Sequence, residues 1–366
     1  MAVFYNTKLL DKLSYDNTDS VFTLENIVST DSINIEFIPK KIKAELDINK
    51  YDLFIFDNKS LIAENDIFLL YETTVKKDIG WIFPISVLES NENDYANKDF
   101  FNQFRFLAYQ KLLSSTFSLK AFIKEKKDLY SISELFGSNR IILIVSKEDF
   151  GAENIFEIND YLPSLATSGY FINNENELIY SCPKNYIVEN FRGKKKIKIS
   201  KAVNEVYNLN FSKKLYQNYL KTLDHHLIRF HLLYQIIEFH ITEAFNVDFD
   251  NLLEKYNNRD ISKNDFIEKF KDIRNEREKI RKILKTISPN ASTFEKEILI
   301  NIQRDCKDFL LEFGDYDKNE IGDLLYDVRN VIVHNYRKIK DENIQLLNEI
   351  TFEFEILINY LMTKSP

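Results

Sequence analysis

The apolar residues of this 366-residue chain change their period once, near residue 200, and that switch constrains the fold more than any other feature. Ahead of it, short runs rich in β-branched and aromatic residues recur at Ile33–Ile38, Tyr51–Phe56, Ile67–Tyr71, Trp81–Val87 and Arg140–Val145. Runs of about five to seven residues suit strands better than helices. Tyr170–Ile172 and Leu178–Tyr180, with five Asn and Glu residues between them, predict a hairpin. One long helix is predicted from about Lys98 to Lys126, where Phe101, Phe104, Leu107, Ala108, Lys111 and Leu112 keep three-and-four spacing with one polar interruption.

Beyond Lys213 every long segment has helical period. Phe230, Leu233, Tyr234, Ile237 and Ile241 form one stripe on a helix over His226–Phe245. Ser262 with Asp265, and Ser292 with Glu295, match capping boxes that open two further helices, with Pro289 between them. Asp317–His334 and Asp341–Thr363 form the last pair, with Asp341 as the N-cap of the final helix. The expectation is an α+β chain: a mixed α/β domain over residues 1–200, then an all-α antiparallel bundle of five or six helices over residues 205–366.

The boundary is marked by charge. From Arg192 to Lys221 nine basic residues face one acid, Glu205. One reading is a solvated linker with an edge strand whose lysines discourage aggregation. The other is a local guide for an RNA backbone, carried by Lys194, Lys195, Lys196, Lys213 and Lys214. A global positive field is absent, because the net charge is -8.

Composition excludes several classes. With 44% hydrophobic and 29% charged residues the chain has a real core and is not disordered. The longest aliphatic run, Ile141–Val145, is far short of the roughly 20 residues of a membrane span. The first twenty residues hold no signal-peptide core, so a cytoplasmic protein without a membrane partner is expected. The seven glycines build neither GxGxxG nor GxxxxGK[ST]. Cys182 and Cys306 lie far apart, offer no metal-ligand spacing and are not expected to pair. No HExxH and no CxxC occurs, so neither metal nor cofactor is expected. Trp81, Phe100, Phe101, Phe104 and Phe106 read as core aromatics, not as a ligand cage.

All five histidines fall in the helical part. His225, His226, His231 and His240 lie on or beside one helix, where His231 and Glu238, seven residues apart, share a face and are supporting candidates. His334 has the more informative neighbourhood: Arg329-Asn330-Val331-Ile332-Val333-His334, near the end of an amphipathic helix. Among 11 arginines and five histidines this is the one pair at a spacing of five to seven. Chance places such a pair with Asn directly after Arg in roughly 4% of chains this rich in Asn.

Those residue types suit one reaction. RNA carries its own nucleophile, the 2′-hydroxyl, beside the scissile phosphate. Cleavage then needs a group that exchanges protons near neutrality and a cation for the developing negative charge. Imidazole, titrating near pH 6.5, supplies the first; the planar guanidinium fork supplies the second. Asn330, one turn before His334, can hydrogen-bond either the imidazole or the phosphate. On a straight helix, however, five residues put Arg329 and His334 about 140° apart. They converge only if the helix ends near His334 or if two chains combine their motifs. A purely structural alternative pairs Arg329 with Asp323, Asp327 or another acid and leaves His334 as a helix C-terminal cation.

The Arg329–Asn330–His334 pattern resembles the R-x(4–6)-H motif of HEPN ribonucleases, in which a polar residue follows the arginine. The segment Leu227-Ile228-Arg229-Phe230-His231-Leu232-Leu233-Tyr234-Gln235-Ile236-Ile237-Glu238 looks like an early helix of HEPN domains in phage-defence proteins. The resemblance covers about residues 205–366. It implies a HEPN-like helical ribonuclease domain behind a sensor or regulatory domain. It further implies a metal-independent endoribonuclease that works as a homodimer with its motifs at the interface. Abortive infection or toxin–antitoxin defence, with an antitoxin or a phage-derived trigger as partner, follows by the same resemblance. The alternative is a non-catalytic HEPN module that binds RNA or a protein, as an antitoxin or adaptor does. A cyclic-nucleotide-gated variant would need a Rossmann-like sheet around Arg140–Ser146.

Overall fold

A computed structural model describes residues 2–363 except 30, 40–41, 43–44, 59–62, 64, 115–119, 149–155, 174–194, 203–204, 224, 286–292 and 315. The chain forms two compact units, Met1–Lys201 and Ala202–Pro366, so the division falls inside the basic stretch. The first is rich in strands and the second is helical. Among the described residues no helix is long and apolar enough to cross a membrane.

The first unit holds three sheets. β1 (Ala2–Tyr5) lies between β2 (Lys8–Leu10) and, in parallel, β9 (Lys120–Ile123). β3 (Lys12–Asp16), β4 (Val21–Glu25) and β5 (Ser32–Glu36) form an antiparallel meander. The largest sheet has the order β11-β6-β10-β8-β7-β12. Its strands are β6 (Tyr51–Asn58), β7 (Phe68–Glu72), β8 (Lys77–Pro84), β10 (Arg140–Ser146), β11 (Tyr170–Ile172) and β12 (Lys196–Ile199). The second arm of the hairpin expected after Ile172 lies outside the described residues. At Gly80 β8 passes so close to β10 that an added Cβ would sit 1.9 Å from the Ile144 carbonyl oxygen. β10 is antiparallel to both neighbours, β6 and β8, so Arg140–Ser146 is not the parallel crossover strand a Rossmann-like sheet requires.

Two sequence expectations change here. The helix expected over Lys98–Lys126 is α1, Asp99–Leu113, and Lys120–Ile123 is strand β9. Ser114 explains the stop: its hydroxyl donates to the Lys111 carbonyl at 2.9 Å, and its backbone is already extended. The strand expected over Trp81–Val87 ends at Pro84, and Ile85–Leu88 form a 3-10 turn. Of the expected core aromatics Trp81, Phe101 and Phe106 are buried and Phe104 is half-buried against Trp81, whereas Phe100 is exposed, its ring tilted against that of Trp81. Arg105, fully buried on α1, donates to the carbonyls of Leu88 and Ser90 at 2.7 and 2.9 Å. Two short helices, α2 (Ile132–Phe136) and α3 (Leu162–Thr167), complete this unit.

The second unit opens with α4 (Asn210–Lys214), a π-helical turn (Leu215–Tyr219) and α5 (Leu220–Thr222). Six longer helices follow: α6 (His226–Asn257), α7 (Lys263–Ile273), α8 (Glu276–Lys285), α9 (Thr293–Leu311), α10 (Ile321–His334) and α11 (Asp341–Thr363). The stripe on α6 is buried at Phe230, Leu233, Tyr234 and Ile237 but only half-buried at Ile241, and the helix runs on past the expected end at Phe245 to Asn257. Ser262 and Asp265 form both halves of a capping box at α7. Ser292 and Pro289 lie outside the described residues. Asp341 is the first residue of α11 and not its cap, and α10 starts at Ile321 with Glu320 as N-cap. Cys306 is buried on α9 as a free thiol; Cys182 lies outside the described residues.

α11 is the central helix. Leu347, Ile350, Phe354, Leu357 and Leu361 make its buried stripe, and Phe354 meets Phe230 of α6 at 5.0 Å. A buried ion pair fixes the start of α6: Arg229 Nε donates to Glu355 Oε2 at 2.6 Å, and Nη1 donates to the carbonyls of Leu220 and Leu223 at 2.7 and 2.8 Å. These bonds satisfy a charge that would otherwise be expensive to bury.

Candidate active site

α10 carries the motif, and two sets of interactions hold it. On one side α8 presents Arg277 and Arg281 to Asp327 and Asp323, with partners four apart on each helix. Arg281 donates to Asp323 at 2.6 Å; both Arg277 Nη groups reach Asp327, and its guanidinium also lies 4.6 Å from the Tyr326 ring centre. The Tyr316 hydroxyl and Lys318 ammonium donate to the same Asp327 oxygen at 2.6 and 2.9 Å. Burial alone would raise the Asp327 pKa, but the bonds from Tyr316, Lys318 and Arg277 outweigh it and hold the carboxyl below its ordinary value. The Tyr316 phenol is pushed up by burial and by Asp327, so it stays a donor. Gly322 lets the two backbones meet: a Cβ there would stand 3.0 Å from the Arg281 nitrogen.

On the other side α10 faces α6. Arg329 lies with its guanidinium 5.7 Å from the ring centre of Tyr234, which is buried. Nη1 donates to Asn330 Oδ1 at 3.1 Å and Nη2 to Glu238 Oε1 at 3.4 Å. The other oxygen of Glu238 accepts from Gln235 at 3.0 Å. Burial raises the Tyr234 phenol pKa, an effect the Arg329 charge partly offsets.

Asp323 and Asp327 are therefore taken by Arg281 and Arg277, and Arg329 turns to Glu238 instead. That pair is long and partly open to water, with side chains 28% and 38% exposed. Such contacts contribute roughly 0.2–1 kcal/mol, so an incoming phosphate can displace the carboxylate.

α10 ends at His334, where Asn335 leaves helical geometry and returns its N–H to the Val331 carbonyl at 2.8 Å. His334 is exposed, and among the described residues its imidazole takes part in no hydrogen bond or ion pair with another side chain. Glu238, Arg329 and Asn330 form one hydrogen-bonded chain, and His334 follows Asn330 by one turn of α10.

Of the supporting candidates, Glu238 joins Arg329, whereas His231 is exposed and takes no part in this network. His240 is held neutral by burial, its pKa lowered to about 4, and the His225 and His226 rings stack on each other. The basic candidates separate. Lys194 lies outside the described residues; Lys195 and Lys196 belong to the first unit, where Lys196 is paired with Asp78 at 2.7 Å; Lys213 and Lys214 lie on α4 of the second.

Sequence reasoning missed Tyr234 as the platform under Arg329 and Asp327 as an anchor for three donors. A signal for the second existed: Arg277 with Arg281 and Asp323 with Asp327 are complementary i,i+4 pairs. Among the described residues no three His, Cys, Asp or Glu side chains gather as a metal site would require. Comparisons with family models, with curated proteins and with solved structures give no match for this chain.

Proposed function

We propose that the chain is a HEPN-type endoribonuclease that cuts RNA by attack of the 2′-hydroxyl on the adjacent phosphate, within bacterial antiphage defence. His334 exchanges the proton: as base it takes the 2′-hydroxyl hydrogen while that oxygen bonds to phosphorus and the P–O5′ bond breaks. The products are a 2′,3′-cyclic phosphate and a 5′-hydroxyl that receives the proton. Arg329 leaves Glu238 and neutralises the phosphate oxygens; Asn330 positions both. The reaction asks for no metal, and DNA, without the 2′-hydroxyl, is not a substrate.

The observation that carries this reading is an exposed imidazole without a side-chain partner among the described residues on the last residue of α10, while Arg329 on the same helix sits on a weak, solvent-open carboxylate contact. A homodimer belongs to the same proposal: a second motif supplies the opposite side of a phosphate cleft, and the exposed Val333 beside His334 gives a partner apolar surface to cover. One observation favours a non-catalytic RNA- or protein-binding module instead, namely that Arg329 already has its carboxylate.

The test is incubation of mixed-sequence RNA and matching DNA with the intact protein and with His334→Ala in excess EDTA. RNA-only cutting that survives chelation and disappears in the variant supports the enzyme. Cutting that persists in the variant refutes the site, and RNA binding without cutting supports the module.

A further inference from the structure

We infer that the 3-10 turn directly after α10, through Arg337 and Lys338, grips the RNA backbone next to the scissile phosphate; this rests on the ribonuclease reading above. Most cations on α10 and around it are already engaged with acids. Arg277, Arg281 and Lys318 hold Asp327 and Asp323, Arg329 holds Glu238, and Lys340 lies between Glu312 and Glu342 at 3.5 and 3.3 Å. Arg337 and Lys338 differ. Both are exposed, and among the described residues neither side chain has a hydrogen bond or carboxylate partner.

Their placement is fixed. The turn spans Tyr336–Lys338 and is tied to the helix end by backbone bonds: the Lys338 N–H donates to the Asn335 carbonyl at 2.8 Å and the Ile339 N–H to that of Tyr336 at 3.0 Å. Lys338 is four residues from His334, so their Cα atoms are at most about 14 Å apart. That range covers the phosphates flanking a cleaved bond. Two unpaired cations beside a proton-exchanging imidazole fit a polyanion whose reacting phosphate is already held by Arg329. The competing structural role is simple stabilisation of the negative end of the α10 dipole, which acts on folding and not on RNA.

Binding of a labelled single-stranded oligouridine, measured by fluorescence anisotropy over a KCl series, separates these roles. The parent is the full chain carrying His334→Ala, so that nothing is cut. Adding Arg337→Gln and Lys338→Gln together should make the slope of log K against log[KCl] shallower by about 1.4, or about 0.7 per lost phosphate contact. The exchange Arg337→Lys with Lys338→Arg should keep the parent slope. An unchanged slope in the double Gln variant, or a lowered melting temperature with that slope intact, overturns this inference and leaves the ribonuclease reading standing. A parent that binds no RNA, with wild type that cuts none, overturns both.

Discussion

Replacing Asp327 by Asn tests whether the α8 and Tyr316–Lys318 contacts hold α10 in place. The Asp327 side chain is 15% exposed and accepts from Arg277, Tyr316 and Lys318. Hydrogen bonds to a charged partner are worth about 1.5–3 kcal/mol each. Asn keeps one acceptor oxygen and turns an amide towards the two cations, so roughly two bonds are lost. Arg277 and Lys318 can rotate into water, being 32% and 39% exposed, which brings the expected loss to about 2–3 kcal/mol. The assay is urea unfolding followed by far-ultraviolet circular dichroism at 222 nm, where the helical unit dominates. The pH dependence has a definite sign. Because the folded pKa of Asp327 lies below its unfolded value, its contribution is complete above the unfolded pKa and disappears as pH falls through the folded one. The gap between wild type and variant should therefore stay constant from pH 8 to about 5 and close below about 4. A gap under about 0.5 kcal/mol at pH 7, or one that widens as the pH falls from 5 to 3, would refute the anchoring role.

Glu238→Gln should leave stability within about 1 kcal/mol and tighten RNA binding up to about fivefold, read by anisotropy in the His334→Ala background, because Arg329 no longer has a competing anion. Gly322→Leu should destabilise the second unit by about 1–3 kcal/mol in the same urea assay, since its side chain would enter the Arg281 backbone. His240 is neutral in the folded protein and accepts a proton readily only when unfolded, so it lowers stability as pH falls from about 6.5 towards 4. His240→Gln should flatten that part of the stability–pH curve, and an unaltered slope would refute the burial argument.

The legible parts of this protein were those written in local pattern. The α6 stripe, the Ser262–Asp265 box and the runs at β6, β7 and β10 follow from spacing that one element imposes on its own sequence. The α1 boundary failed because helical spacing ends at Leu112, while the serine that stops the helix acts through a single hydroxyl bond. Arg329 and His334 were visible as a motif. That Arg329 would choose Glu238 over Asp327 and Asp323, two and six positions away, was not.

The sequence by itself determined the change from strands to helices, the capped and apolar-striped segments, and the presence of an Arg–Asn–His set, because each depends on neighbours within a turn or two. Tertiary structure alone decided how the sheets pair, where the cations go, and which acid Arg329 meets. The most telling of those outcomes join residues far apart in the chain, 42 positions for Arg281 with Asp323 and 126 for Arg229 with Glu355. No local pattern encodes which of many carboxylates will be nearest once the helices pack.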